Sequence, residues 1–564
     1  MHIIAQGSLP TTSLLALLAF GIVLLLILIL RFKLQAFLSL LVASIAVAMG
    51  AVFVNGDAET VAITSGASAA NQITLEVPAH GRSAGAIVEV SGTEPNSYNG
   101  VWKIKEAPTA DSLVAEPKEP KKPLPEGPTV KAGSLQNPYA VSLTKIGDTV
   151  VNGMGGALGF IATIIGIGAI FGALLEHSGG TQSLANTMLS KFGVSRAPWA
   201  MLLTGFIVSI PVFLDVALVI LAPLLYALAR DTKKPLLVFG LPLVAGMAVT
   251  HAFVPPTPGP VAVGYILGVN LGWVILFGLL IGLPTALICG PPLCSRIARL
   301  VDVPLPAGAR IAAPEQAGDS QKLPSFALIL GLIALPIALI LCNTIIEQVV
   351  ASDLADGLSS DARKGMLAGA LAAAPVWQQL IHFLGYPVIA LLLSTLIAVF
   401  FLGTRRGTGK DELLELCTSA LGPAGIIILI TGAGGVFKGV LIATGIADAL
   451  AGAFEGSGIP LVVLAWLFAT LVRIAQGSAT VAMLTAAGLM YGFVDGLSDP
   501  KLALITVAIA AGATGFSHVN DSGFWMISRY FGMNEAQTLK TWTLVSTAIS
   551  LVAFLLILVV SLFV

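Results

Sequence analysis

Charged residues are scarce in this chain of 564 residues, since Asp, Glu, Lys and Arg together make up only 10%. A soluble globular domain carries about 25%, so the composition excludes that class. The net charge of −1 gives no sign of a nucleic-acid partner. Only four cysteines occur, and because they lack the spacing of a metal site we interpret them as reduced packing residues.

Signatures of catalysis and of secretion are also missing. The sequence contains no HExxH helix and no convincing pair of nucleophile and base, which argues against an intramembrane enzyme. Residues 1–12 hold no Lys or Arg, whereas Arg31 and Lys33 follow the first apolar run. The first run is therefore not a cleavable signal, and the positive-inside rule places the N-terminus outside the cell.

Apolar residues are abundant, at 56% of the chain with a mean hydropathy of +0.93. Runs of about 20 residues, the length that spans a bilayer, recur from Leu14 to Val564. We therefore expect an all-α polytopic membrane protein with ten spans, ending outside the cell. Two further apolar stretches, 197–229 and 460–491, are too long for one untilted span and carry like charges at both flanks. Each is predicted to be a re-entrant helical hairpin.

Two of the predicted spans are interrupted by helix breakers. The span 236–268 contains "VPPTPGP", and the span 502–527 contains "SHVNDSG". Non-helical backbone at membrane depth is tolerated only where it is buried in protein or lines a wet cavity. Half-helix ends at such breaks attract anionic groups through their N-termini. We therefore expect the two breaks to face one another and to bind a solute.

The two halves of the chain align locally. Phe171 matches Phe437 at an offset of 266 positions, and His251 matches His518 at an offset of 267. Because the predicted topologies of the halves are opposite, we expect an inverted repeat of about five spans plus one hairpin in each half. Paired broken repeats favour alternating access over a simple channel.

One segment is polar and interrupts this pattern. Between 55 and 140, "QITLEV", "AIVEV" and "VWKIK" alternate as strands do, and "EPKEPKKPLPEGP" is typical of a linker. The predicted organisation is then as follows: 1–54, two scaffold spans; 55–140, an extracellular β insert and Pro-rich linker; 141–292, the transport part of repeat 1; 293–322, a cytoplasmic loop; 323–410, the scaffold spans of repeat 2; 411–564, the transport part of repeat 2.

Four blocks of the sequence resemble the signatures of a known family. "VTHAFVPPTPGPVAV", "QGSATVAMLTAAG", "TGAGGVFKGVL" and "SHVNDSGFWMISRYFGMNEAQTLKTW" are similar to those of the gluconate permease (GntP) family, over roughly Val150 to Trp542. The resemblance implies import of gluconate or a related small hydroxy-monocarboxylate by proton symport across the bacterial inner membrane, with no cofactor besides the coupling ion. Its superfamily implies a homodimer and elevator-type movement. The insert departs from the usual family pattern.

Several polar residues near the breaks and hairpin tips are candidates for binding the solute. Amides and hydroxyls suit a polyhydroxy acid because they donate and accept hydrogen bonds, freed backbone N–H groups suit a carboxylate, and an arginine binds it in bidentate fashion. The candidates are His251, Thr257, Gly259, Arg473, Gly477, Ser478, Thr480, His518, Asn520, Asp521 and Ser522.

Asp215, at the predicted tip of the first hairpin, is the candidate for proton coupling, because an ionisable residue at membrane depth is costly to keep. Other interpretations stay open: Asp521 as the proton site or a helix cap, Arg473 paired with Asp215 or Asp521 when no solute is bound, and packing roles for the histidines. A sodium-coupled carboxylate transporter is the alternative function, since carbonyls and neutral oxygens at the tips suit Na⁺.

Overall fold

The computed structural model describes residues 11–55, 61–69, 72–78, 87–93, 98–117, 134–137, 139, 142–301, 303–304, 323–351, 360–454, 457–494 and 496–564. Most of the Pro-rich linker and of the loop 293–322 lies outside these ranges. Within them, nine helices are long and apolar enough to cross a membrane. The tenth predicted span, 502–527, is divided between two shorter helices. The expected polytopic helical membrane protein is therefore found.

Twenty-two α-helices follow one another along the described chain. Those before residue 300 are α1 (Thr11–Leu30), α2 (Ala36–Asn55), α3 (Leu143–His177), α4 (Gly180–Phe192), α5 (Ala197–Val208), α6 (Leu214–Thr232), α7 (Leu237–Phe253), α8 (Pro258–Leu267), α9 (Leu271–Ile288) and α10 (Cys294–Ile297). The others are α11 (Phe326–Val350), α12 (Ser360–Ala373), α13 (Val376–Gly385), α14 (Pro387–Ala398), α15 (Lys410–Ala443), α16 (Ile446–Phe454), α17 (Leu461–Gln476), α18 (Ala479–Met490), α19 (Asp499–Thr514), α20 (Ser522–Phe531), α21 (Glu535–Thr538) and α22 (Leu544–Val560).

The segment between α2 and α3 folds as a β-sheet, as its alternating pattern predicts. Its strands are β1 (Val61–Ala62), β2 (Ser65–Ala69), β3 (Gln72–Glu76), β4 (Ile87–Ser91), β5 (Gly100–Thr109), β6 (Ser112–Pro117) and β7 (Ser134–Gln136). They form one antiparallel sheet in the order β1-β7-β4-β5-β6-β3-β2. Tyr98 and Trp102 are fully buried within this module, so it has an apolar core of its own.

Hydrogen bonds attach the sheet module to the membrane helices. Asn55, the last residue of α2, donates from Nδ2 to the carbonyls of Tyr139 and Thr444, both at 2.9 Å. The Tyr139 hydroxyl donates to the Asp448 carboxylate on α16 at 2.5 Å. Burial and this neighbouring carboxylate raise the pKa of Tyr139 above its ordinary value near 10, because both disfavour the phenolate. The module is therefore joined to the start of α16 as well as to its own flanking helices.

Corresponding elements recur at nearly constant spacing in the two halves. α3 begins at Leu143 and α15 at Lys410, and these long helices pack against each other. α8 begins at Pro258 and α20 at Ser522, 264 positions later. The sequence offset of 266 to 267 positions therefore extends to the helix boundaries, with small insertions between them.

Two glycines make equivalent contacts in the two halves. A Cβ at Gly246 on α7 would lie 2.3 Å from the carbonyl oxygen of Leu202 on α5. A Cβ at Gly512 on α19 would lie 2.4 Å from the carbonyl oxygen of Trp466 on α17. Small residues let helix backbones approach closely inside a membrane. α5 and α17 are thus packed directly on α7 and α19, the helices that lead to the two breaks.

The helices that follow the two breaks, α8 and α20, pack against the opposite half of the chain. α8 contacts α18, where Gly259 lies against Met483, so that a Cβ would meet its sulfur at 2.6 Å. α20 contacts α6, where the Tyr226 hydroxyl donates to the Tyr530 carbonyl at 2.7 Å. α8 is therefore covered by α18, and α20 is covered by α6.

Candidate solute-binding site

The first break separates α7 from α8 at residues 254–257. Pro255, Pro256 and Pro258 lack the N–H groups that a continuous helix needs. The break is shorter than the predicted stretch 255–260, because Pro258 occupies the first helical position of α8, where its fixed φ and missing N–H suit a helix start. Thr257 is buried and donates from Oγ1 to the Val254 carbonyl at 2.6 Å.

The turn between α5 and α6, where the first hairpin tip is predicted, lies beside this break. α5 ends at Val208 and α6 begins at Leu214, so Asp215 belongs to the first turn of α6 rather than to the tip itself. Its side chain is exposed. The Phe213 ring meets the His251 ring edge-to-face at 6.2 Å between centroids. A cavity of about 320 Å³ lies next to this tip, between α3, α6 and α15.

The turn between α17 and α18, where the second hairpin tip is predicted, contains a glycine. Gly477 ends α17 with a φ of 84°, a left-handed conformation that favours glycine. Ser478 caps α18 by accepting a hydrogen bond from the Val481 N–H, and Thr480 lies half-buried in the first turn of that helix. A Cβ at Gly477 would lie 2.3 Å from the carbonyl oxygen of Asn520. The second break comprises residues 515–521, between α19 and α20, so Ser522 and Gly523 of the predicted stretch already belong to α20. The tip therefore rests directly on the second break.

A buried ion pair joins the second tip to the second break. Arg473, only 4% exposed, donates from Nη2 to the Asp521 carboxylate at 2.5 Å. It also donates to two backbone carbonyls, from Nε to Gly515 at 3.2 Å and from Nη1 to Gly477. Of the partners left open by the sequence, Asp215 or Asp521, the structure places Asp521 against this arginine. Three described groups of the tip and the break, one carboxylate and two carbonyls, thus share one cation.

The Asp521 carboxylate has further hydrogen-bond donors. Ser517 donates its hydroxyl to Oδ2, and the Gly523 N–H donates to Oδ1 at 3.0 Å, which makes Asp521 the N-cap of α20. Ser517 in turn accepts from the Trp542 indole N–H at 2.8 Å. The Asp521 carboxylate is therefore held in place by a network of several hydrogen bonds.

The other candidates of the second break differ in their surroundings. Asn520 donates from Nδ2 to the Ile474 carbonyl at 3.0 Å. His518 contacts the Phe516 carbonyl through Nδ1 at 2.8 Å. Ser522 is exposed at the first position of α20. Asn520 thus fastens the break to α17, His518 is also half-buried, and Ser522 is exposed.

Buried polar atoms without a hydrogen-bond partner among the described residues collect at the tips and breaks. They include Ser209 Oγ, His251 Nδ1, Asn520 Oδ1 and both amide atoms of Gln476. An unsatisfied buried polar group costs about 1–3 kcal/mol. Ser209 directly follows α5 and Gln476 ends α17, 267 positions later, and neither was among the predicted solute-binding residues. Their position next to a tip was the signal that could have found them.

A second network of polar side chains, most of them half-buried, was not predicted from the sequence. Glu347 on α11 accepts hydrogen bonds from Asn270 at the start of α9 and, at 2.8 Å, from Asn343. His382 on α13 lies 3.3 Å from the same carboxylate. The Asn270 N–H donates to Asp499, the first residue of α19, at 3.2 Å. This network joins the starts of α9 and α19 to the predicted scaffold helices α11 and α13.

Two interrupted helices lie inside a bundle of membrane-crossing helices, and buried polar atoms beside them have no hydrogen-bond partner among the described residues, an arrangement typical of a membrane transporter. The model of the GntP family permeases matches residues 13–93 and 134–563, so the chain belongs to that family. The internal gap in this match, 94–133, falls within the β insert, the part in which the sequence departs from the family pattern.

Relatives with assigned functions cover most of the chain. The low-affinity gluconate transporter of Escherichia coli (strain K12) is 39% identical over 73% of this chain and 87% of its own length. The gluconate permease of Bacillus subtilis (strain 168) is 37% identical over 74% of this chain and 90% of its own. The Gnt-II system L-idonate transporter of Escherichia coli (strain K12) is 33% identical over 73% of this chain and 88% of its own.

A solved structure shares the fold at much lower sequence identity. Neisseria gonorrhoeae MtrF, described as illuminating a class of antimetabolite efflux pumps, matches with a TM-score of 0.52 and 14% identity. The match covers 82% of this chain and 91% of that one. At this identity the likeness concerns the fold alone.

Proposed function

We propose that this protein is a secondary active transporter that imports gluconate or a related small hydroxy-monocarboxylate by proton symport. The observation that carries the proposal is Arg473, a buried cation held at a hairpin tip and a helix break, where a carboxylate can replace Asp521 as its partner. The functions of relatives at 33–39% identity, which include gluconate and L-idonate transport, support the substrate class.

The solute site lies at the tips and breaks of both halves. Arg473 binds the carboxylate, and Asn520 and Gln476 offer amide atoms that have no partner within the described chain. In the first half, Thr257 and His251 stand beside the break and supply groups for the far end of the carbon chain. Gly259, Gly477, Ser478, Thr480, His518 and Ser522 shape the tips and the half-helix ends around it.

Alternating access follows from an inverted repeat. The proposal is supported by the equivalent helix boundaries, by the matching contacts of Gly246 and Gly512, and by the exchange of α8 and α20 between the halves. The transport parts, 141–292 and 411–564, move in an elevator-type step against scaffold spans that dimerise in the inner membrane. Both chain ends lie outside the cell.

Transport by purified protein in liposomes tests this function. We expect labelled gluconate to accumulate when an inward proton gradient is imposed, and an inward sodium gradient at equal pH to give no accumulation. Arg473→Gln should abolish uptake, while Arg529→Gln, which changes an exposed arginine on α20, serves as the matched control. Accumulation driven by sodium alone would favour the sodium-coupled carboxylate transporter. No uptake of any hydroxy-monocarboxylate under either gradient would overturn the proposal.

A further inference from the structure

The ion pair between tip and break contains an acid that can exchange partners. Arg473 is fixed by two backbone carbonyls, so its guanidinium keeps its position whether or not Asp521 is bound to it. Asp521 has donors other than Arg473, namely the Ser517 hydroxyl and the Gly523 N–H. Each member of the pair can thus be released by the other without losing all of its contacts.

We propose that Asp521 takes up the coupling proton, and that the solute carboxylate brings this about by displacing Asp521 from Arg473. This inference rests on the proposed function and names the residue that joins solute binding to proton binding. It extends the interpretation of Asp521 from a solute contact to the acid of the symport.

The balance of charge supports the exchange. Without solute, the buried site holds one guanidinium and one carboxylate and is neutral. A monoanionic solute adds a second carboxylate, and an uncompensated charge in a low-dielectric interior is strongly unfavourable. Uptake of one proton restores neutrality, because two carboxylates around one cation cannot both remain ionised at little cost.

The exchange conserves charge and accounts for the proton at each stage. The solute carboxylate forms an ion pair with Arg473, the pair between Arg473 and Asp521 breaks, and one proton from the same aqueous side binds to the freed Asp521 carboxylate. The site then crosses carrying the solute anion and the proton. On the other side Asp521 releases the proton, re-forms its pair with Arg473 and expels the solute.

Other ionisable groups near Asp521 are placed less well for this role. On its own break, His518 is half-buried and its Nδ1 is engaged by the Phe516 carbonyl. Arg529 on α20 and Lys540 beside α22 are exposed. Asp215, in the other half, is exposed in the first turn of α6. Among the described groups, Asp521 alone shares a buried cation with the proposed carboxylate site.

Proton uptake on solute binding tests this inference directly. Purified protein in weakly buffered solution near pH 7.5 is titrated with gluconate, and the proton uptake is measured with a pH electrode and by calorimetry in buffers of different ionisation enthalpy. We expect about one proton per gluconate bound by the unaltered protein. Asp521→Asn should bind gluconate with no proton uptake, since an amide cannot carry the proton. Asp148→Asn, on an exposed turn of α3, should keep the full uptake.

The outcomes separate this inference from the proposed function. If the unaltered protein binds no hydroxy-monocarboxylate, the proposed function fails. If it binds gluconate and Asp521→Asn still takes up one proton per solute, this inference is wrong and Asp215 or a histidine carries the proton. If Asp521→Asn does not fold, Ser517→Ala gives the answer. Removing a donor to the ionised carboxylate should raise the pH midpoint of proton uptake, and an unchanged midpoint would overturn the inference.

Discussion

Replacing Gly477 with alanine should separate the second hairpin tip from the second break. Alanine at a φ of 84° is strained by about 1–2 kcal/mol. In addition, its Cβ would lie 2.3 Å from the Asn520 carbonyl oxygen, a backbone atom that cannot rotate away. Overpacking of this kind costs about 1–3 kcal/mol. The total is about 2–5 kcal/mol, of which the 1–3 kcal/mol from overpacking is relieved if the tip and the break move apart.

A matched control isolates the contact from the backbone strain. Gly458 has a φ of 70° and no atom within 4 Å of a built Cβ, so Gly458→Ala suffers the strain alone. The difference of about 1–3 kcal/mol should then lower the equilibrium constant for the arrangement with the tip in place by roughly 5- to 150-fold. The apparent Kd for gluconate should rise by up to the same factor, because binding requires that arrangement.

Calorimetric binding and thermal unfolding in detergent give the two readouts. Gly477→Ala should bind gluconate more weakly than Gly458→Ala and should unfold at a lower temperature. Equal affinities and equal unfolding temperatures of the two variants would refute the close contact between Gly477 and Asn520, and with it the placement of the solute site between tip and break.

Asn520→Ala should weaken gluconate binding and reduce the difference in affinity between gluconate and its deoxy analogues. In the unaltered protein a missing solute hydroxyl leaves the buried Asn520 amide unpaired, at about 1–3 kcal/mol, and in the variant this amide is gone. Unchanged affinity for both solutes, measured by calorimetry, would make the break purely structural. Tyr139→Phe should loosen the sheet module by about 1.5–3 kcal/mol, the value of a hydrogen bond to a charged group, visible as faster proteolysis of the segment before α3. Because the pKa of Tyr139 in the folded protein is raised, its hydrogen bond to Asp448 is fully present below about pH 10 and is lost only as the pH rises through the higher folded value. Detachment of the sheet module between pH 7 and 9 would contradict the contact with α16. Gly246→Ala and Gly512→Ala should each lower the unfolding temperature, whereas Gly425→Ala, with open space around its Cβ, should not; a cost in only one of the pair would argue against equivalent packing of the halves.

Composition and periodicity were sufficient for the coarse fold. Long apolar runs can satisfy their backbone groups in lipid only as helices, and the alternating segments between α2 and α3 suit a half-buried sheet. The helix boundaries were harder to predict. Proline has opposite effects by position: Pro242 and Pro284 lie inside helices, whereas Pro258 begins one. For this reason the first break is shorter than the cluster of prolines suggested.

Side-chain partners depend on distant parts of the chain and were only partly predictable. An arginine in an apolar run demands an anion, so Asp521 was already among the named partners of Arg473. Nothing local to Glu347 or Asn270 indicates their hydrogen bond, because 77 positions separate them and each residue is common at helix ends. Gln476 was overlooked since an amide before a glycine is typical of an ordinary helix end. Long-range pairing of polar groups therefore required the three-dimensional structure.

The packing of α8 and α20 against the opposite halves has a consequence for the synthesis of the protein. The break before α8 is synthesised well before the helix that covers it, since Gly259 precedes its neighbour Met483 by more than 200 positions. At about 5–20 residues per second, ribosomes need roughly 10 to 45 seconds to bridge that interval. Throughout it, the first half sits in the bilayer with its interrupted helix lacking α18. Each half therefore needs the other half to complete its own packing. We expect that neither half folds when it is expressed alone.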